Sequence, residues 1–249
     1  MSEMIAANLP LDRIRALIVQ ARALILDVDG TLAETEEAHR QAFNTAFAGA
    51  GLDWRWDRAV YKELLRVAGG KERIRAFDNS RDGQPPLLSD SEIAELHQIK
   101  TRLYAELIAK GGCPLRPGVR ALLDAARQRG QQLAIATTTS YPNIDVLLSV
   151  SLGKNWEQWF AAIAAGDEVT RKKPAPDVYI QVLSKLNLPA RQCLAVEDSG
   201  IGLAAATGAG IPVLISRSAY FSDDDFSGAV CTVDDLTELT GIPENGPEA

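Results

Sequence analysis

Short apolar runs that end on acids or threonines alternate, along most of this chain, with stretches in which apolar residues recur every three or four positions. The first run, Ala23-Leu24-Ile25-Leu26, stops on Asp27 and is followed by Val28, Asp29 and Gly30. Apolar residues bounded by acid and glycine predict a buried strand of a parallel sheet with its carboxyl end at solvent. Ahead of it, Leu9, Leu11, Ile14, Leu17 and Ile18 predict a short amphipathic helix within 8–22. Over 36–110 the pattern is helical. Phe43 and Phe47 stand one turn apart, Trp56, Val60, Leu64 and Val67 form a second stripe, and Ile93, Leu96, Leu103 and Leu107 a third. The turn-rich segment 80–86 divides that block into separate helices.

Past Leu115 the period changes. Pro117 opens a helix that Gly130 closes, strands are expected over 132–137, 161–165, 192–196, 212–215 and 229–231, and helices over 143–150 and 177–186. Strands alternating with helices mean a parallel sheet covered on both faces, with its ligand crevice beyond the carboxyl ends of the strands. The expected architecture is therefore α/β: a core formed by 1–34 and 111–249, and an all-helical unit over 35–110, inserted after the first strand where it can act as a lid. The tail after Pro243 is expected to fray.

Composition narrows the class without naming an activity. With 46% hydrophobic and 24% charged residues over 249 positions, the chain has the make-up of a globular protein with a sizeable core. A formal net charge of -7 argues against general nucleic-acid binding, which draws on accumulated Lys and Arg. Cys113, Cys193 and Cys231 are too widely spaced for a C-x-x-C pair and read as structural thiols of a reducing compartment. No secretory pattern and no run of the ~20 apolar residues that span a bilayer are found, so no membrane association is expected, and a cytoplasmic monomer is.

Candidate chemistry gathers at the strand ends. Asp27 and Asp29 lie two apart on one face, and two buried acids so close invite a cation or a shared proton. As a carboxylate, Asp27 can attack phosphorus; Asp29 can protonate a leaving oxygen and later take a proton from water, or act only as a metal ligand or cap. Thr137, followed by Thr138 and Thr139, offers a hydroxyl and backbone N–H groups to a phosphate oxygen, and is otherwise a β-branched residue before a polar turn. Lys173, in Arg171-Lys172-Lys173-Pro174, can neutralise Asp27 and a transferring phosphoryl group. Glu197 and Asp198 are oxygen ligands suited to Mg²⁺.

Taken together, these residues resemble the haloacid dehalogenase superfamily of phosphotransferases: Asp27-Val28-Asp29-Gly30-Thr31 is similar to its first motif, Thr137 to its second, Lys173 to its third and Glu197-Asp198 to its fourth. The resemblance implies a Rossmann-like core with a mobile helical cap, Mg²⁺ held by Asp27, the Asp29 carbonyl and Asp198, and an aspartyl-phosphate on Asp27. Glu34-Thr35-Glu36, His39, Gly69-Gly70-Lys71-Glu72-Arg73 and 172–177 resemble the CbbY-type sugar phosphatases, which implies hydrolysis of the 1-phosphate of xylulose 1,5-bisphosphate. Expected substrate contacts are Glu34, His39, Arg66, Gly70, Lys71 and Arg75, with Thr138 and Thr139; Arg73 adds a further cation near the Gly-Gly turn, and His97 is assigned to a polar face. A β-phosphoglucomutase and a phospho-receiver-like signalling module are the competing readings.

Overall fold

The computed structural model describes residues 9–81, 85–111 and 113–239. Six parallel strands form one sheet in the order β3-β2-β1-β4-β5-β6: β1 is Ala23–Leu26, β2 Gln132–Ala136, β3 Ala162–Ala164, β4 Cys193–Glu197, β5 Val213–Ser216 and β6 Cys231–Val233. Both faces are buried, and alternate residues go to opposite sides. Leu24 and Leu26 of β1, with Leu194 and Val196 of β4, enter one hydrophobic cluster, whereas Ala23, Ile25, Cys193 and Ala195 enter another.

Helices α1 (Leu11–Gln20), α6 (Val119–Gln128), α7 (Tyr141–Leu152), α8 (Asp177–Leu186) and α9 (Gly200–Gly208) cover the sheet, as the alternating pattern requires. The register matters for chemistry. Leu26 pairs with Ile135 on one side and Val196 on the other, so Asp27 emerges level with Glu197, and Thr137 follows one residue further along the neighbouring strand.

Between β1 and α6 the chain builds α2 (Glu36–Gly49), α3 (Arg58–Leu64), α4 (Gly70–Asn79) and α5 (Asp90–Ala109). It leaves and returns through paired segments: Ala33 and Leu115 form an antiparallel bridge, and Arg116 N–H donates to the Leu32 carbonyl at 2.8 Å. The block has its own aromatic centre. Trp56 is fully buried, with the rings of Phe43 and Phe47 both 4.7 Å from it, centroid to centroid. Phe221, from the loop after β5, joins the same cluster.

Two sequence expectations shift. Val60 is exposed, and Tyr61 and Leu65 carry the inward stripe of α3 instead, because the Asp57 side chain caps the helix by accepting from Val60 N–H at 2.8 Å and so sets its rotation. The last strand begins at Cys231 rather than two residues earlier, since Leu214 pairs with Cys231 and Ser216 with Val233; Thr232 at its centre hides it from an apolar count. The tail expected to fray lies outside the described residues.

Phe47→Ala is expected to destabilise the protein by about 3–5 kcal/mol through the lost ring contacts and the cavity left behind. Urea unfolding checks this, and a loss under about 1 kcal/mol would contradict the packing described.

Candidate active site

Asp27 is buried where β1 ends, and Lys173, from the loop between β3 and α8, reaches it there. Lys173 Nζ donates to Asp27 Oδ1 at 2.6 Å and to Glu197 Oε1 at 2.6 Å. The Tyr179 hydroxyl donates to that same Glu197 oxygen. Burial pushes the Asp27 carboxyl up to about 7 even though Lys173 pulls it back; burial would also lower Lys173, but Asp27 and Glu197 hold its ammonium above the usual range.

Asp198 stands beside them. Carboxylate oxygens of Asp27, Glu197 and Asp198 lie within 4.8 Å of one another. Burial, reinforced by the charges of Asp27 and Glu197, pushes Asp198 well above the ordinary carboxylate range, and its Oδ2 is buried without a hydrogen-bond partner. Gly30 explains how the acid fits: its φ is +78°, and a Cβ there would fall 1.9 Å from Asp198 Oδ2. An orphaned buried carboxylate oxygen next to two other acids is the donor set that a hard divalent cation satisfies.

Across the cleft, Thr137 to Ser140 lead into the N-terminus of α7 and line the same pocket. Asn143 Nδ2 donates to Thr139 Oγ1 at 3.0 Å, while Ser140 Oγ and Asn143 Oδ1 are buried without partners. Hydroxyls together with the amino end of a helix suit an anionic oxygen.

The Asp29 carboxylate turns toward the helical block. It accepts from Thr35 Oγ1 at 2.5 Å and pairs with His39 Nε2 at 3.0 Å, and His39 Nδ1 faces Lys100 Nζ at 2.8 Å. A neutral imidazole protonated on Nε2 satisfies both contacts, giving its proton to Asp29 and accepting from the ammonium. Burial alone would raise Asp29, but His39 and Thr35 hold it well below the usual carboxylate range; burial lowers Lys100 to about 7 against the pull of Asp29.

The pocket's other wall comes from the helical block. Glu36, Arg73, Lys71, His97 and Lys100 line it, together with Lys172 from the core. Glu36 Oε2 accepts from the Tyr61 hydroxyl at 2.7 Å, and Arg73 donates to that hydroxyl at 3.1 Å. Lys71 faces Asp167 at 3.4 Å and Lys172 faces Glu72 at 3.2 Å, so ion pairs span the gap between block and core. His97 packs on Gly70, where a Cβ would lie 2.4 Å from its Nε2. Burial, with Lys100 and Lys71 adding to it, lowers the His97 imidazole to about 3, so it is neutral at physiological pH.

Asp27, Asp29, Thr137, Thr138, Thr139, Lys173 and Asp198 thus meet in one pocket, with His39, Gly70 and Lys71 at its edge. Three expected contacts do not. Glu34 pairs with Arg116 Nε at 3.2 Å and accepts from Ala219 N–H at 3.3 Å, which ties it to the linker; Arg66 is an exposed partner of Glu63 at 3.2 Å. Arg75 binds Asp90 and the Leu88 carbonyl at 2.6 Å each, because the turn of α4 that buries Arg73 and Ile74 points it away. Asp29 is not part of the carboxylate cluster, having spent its oxygen on Thr35 and His39, and Glu197 Oε1 is occupied by Lys173 and Tyr179. His97 leaves the polar face assigned to it, since α5 turns it over Gly70.

Sequence reasoning missed Glu36, Lys100, Asn143 and the Tyr179 hydroxyl. Lys100 carried a readable signal: it falls midway between buried Leu96 and Tyr104, at one-turn spacing on the inward face of α5. A lysine in an apolar stripe needs a partner.

Comparison with known proteins agrees with this geometry. The family model for haloacid dehalogenase-like hydrolases matches residues 21–210. The protein CbbY of Rhodobacter capsulatus is 50% identical over 228 residues, which covers 91% of this chain and 99% of that protein. The crystal structure of CbbY from Rhodobacter sphaeroides in complex with phosphate superposes with a TM-score of 0.84 at 45% identity, covering 88% of this chain and 96% of that one. A mutant of the same protein, matched at the same TM-score, identity and coverage, was crystallised with xylulose-(1,5)bisphosphate. With catalytic-looking residues of four separate segments in one pocket and relatives matched over nearly their whole length, the chain belongs to the haloacid dehalogenase-like hydrolases.

Proposed function

We propose that this protein hydrolyses the 1-phosphate of a sugar bisphosphate, xylulose 1,5-bisphosphate foremost, through a phosphoryl group carried on Asp27. The observation that carries the reading is the contact of Lys173 with Asp27 at 2.6 Å in a pocket whose opposite wall is cationic. A carboxylate so paired keeps a free oxygen for attack, and the ammonium offsets the charge that would otherwise repel a phosphate. The relative crystallised with xylulose-(1,5)bisphosphate supports the choice of substrate.

In the first step Asp27 forms a bond to phosphorus while the bond to the sugar oxygen breaks, and Asp29, turned in from Thr35 and His39 and protonated from solvent once freed of their hold, gives that oxygen a proton. In the second, water attacks the aspartyl-phosphate, Asp29 takes its proton, and inorganic phosphate leaves with Asp27 restored. Thr137 and the N–H groups leading into α7 hold the phosphoryl oxygens.

Asp27 and Asp198, with the Asp29 carbonyl, would hold Mg²⁺, for which the partnerless Asp198 Oδ2 is a fitting donor. When bound, the ion supplies positive charge that stabilises the transferring phosphoryl group. Residues 35–110 act as a cap over the core, and Lys71, Arg73, Lys100 and Lys172 draw in the second phosphate while neutral His97 meets a hydroxyl of the sugar.

Three outcomes are expected. Asp27→Asn lowers phosphate release by about 10⁴-fold or more, and accumulation of free phosphate rather than an isomerised sugar phosphate separates hydrolysis from mutase action. EDTA removes activity and added Mg²⁺ restores it, as phosphate-release assays will read. Because Asp27 loses its proton near 7 and Lys100 is charged below about 7 and neutral above it, kcat/KM for a bisphosphate peaks near that pH, and Lys100→Met flattens the alkaline limb in a pH-rate series.

A further inference from the structure

Tyr179 lies on α8 and its ring is fully buried in the cluster formed by Val178, Val182 and Ile215. Apolar periodicity accounts for the ring but leaves the hydroxyl unexplained, since a phenol in a dry core needs a partner that phenylalanine would not. Its partner is Glu197 Oε1, the oxygen that also accepts from Lys173 Nζ at 2.6 Å. Lys173 Nζ in turn lies 5.3 Å from the centroid of the Tyr179 ring, so the side chain meets the ion pair with both its oxygen and its face.

A carboxylate with one donor can rotate and share that donor between its oxygens; a second donor on a rigid, buried ring fixes which oxygen is used. Here the ring is locked by packing, and among the described residues the other hydrogen bond of the ammonium goes to Asp27 Oδ1 at 2.6 Å. Tyr179 and Lys173 also travel together, because α8 begins at Asp177, just after the segment that carries Lys173. Tyr179 itself is not among the residues lining the pocket.

We infer that Tyr179 is a positioning residue for the hydrolysis: its hydroxyl holds Glu197 so that Lys173 stays on the nucleophilic carboxylate. This rests on the assignment of Asp27 as nucleophile. Because the contact lies behind the reacting groups, it acts on the chemical step and leaves substrate binding alone.

The test compares Tyr179→Phe, which keeps the ring, with Val182→Ala, which loosens the same cluster without touching the hydroxyl. With p-nitrophenyl phosphate and with a sugar bisphosphate, Tyr179→Phe is expected to lose about tenfold or more in kcat at a KM within about twofold of the parent, as fits a hydrogen bond to a charged group. Val182→Ala is expected to lower the melting temperature while keeping kcat within about twofold. A Tyr179→Phe enzyme with the parent's kcat, a rise in KM in place of the fall in kcat, or an equal kcat loss in both variants overturns the inference. Asp27→Asn run alongside separates the two ideas: retained activity there would remove the nucleophile assignment, whereas an inactive Asp27→Asn beside a fully active Tyr179→Phe would remove only the role given to Tyr179.

Discussion

One buried ammonium organises the catalytic end of the sheet. Lys173 Nζ holds a carboxylate just past β1 and another from β4 at 2.6 Å each, and Asp198 adds a third acid within the same small volume. Removing such charges from water costs several kcal/mol per ion, and only close opposite charge with full hydrogen bonding returns it. Burial and this crowding push Asp27 and Asp198 toward the neutral acid, and the buried, partnerless Asp198 Oδ2 is the kind of oxygen that a divalent cation satisfies.

The constraint reaches outward through close packing. Gly30 leaves room for Asp198, and the Arg116 guanidinium takes up the carbonyls of Gly30, Ser216, Arg217 and Asp234 together with the Glu34 carboxylate. One side chain thereby joins the first acidic turn, the ends of β5 and β6 and the linker into the helical block. On the other side, Asp29 is held by Thr35 and His39, and His39 by Lys100, so the orientation of the Asp29 carboxylate depends on residues of the block. Ion pairs such as Lys172 with Glu72 join the two walls across the pocket mouth.

How much of this was legible can be seen by following particular residues. The strand ending on Asp27 and the strand before Thr137 were visible because fully buried parallel strands are short apolar runs, and their polar ends then fall at one edge. Glu34 and Glu36 show the opposite case. They are two residues apart and equally acidic, but Glu34 sits in the linker on Arg116, and only the start of α2 carries its neighbour into the pocket. Arg73 and Arg75 divide in the same way around α4, where one is buried and the other pairs with Asp90.

By itself the amino-acid order determined the alternation of strands and helices, the position of the helical insertion and the kinds of polar group at each strand end. Those properties are local: periodicity records which face of an element avoids water, and a motif records what its backbone allows. The tertiary structure alone decided which oxygen each donor meets, since Lys173 and Asp27 lie 146 residues apart and find each other only when the register of β1 with its neighbours is set. It also decided that Asp29 faces His39, that the buried Lys100 lines the pocket and that the Tyr179 hydroxyl reaches Glu197. A side chain's hydrophobicity says that it will be buried, but its partner is chosen by how the layers stack.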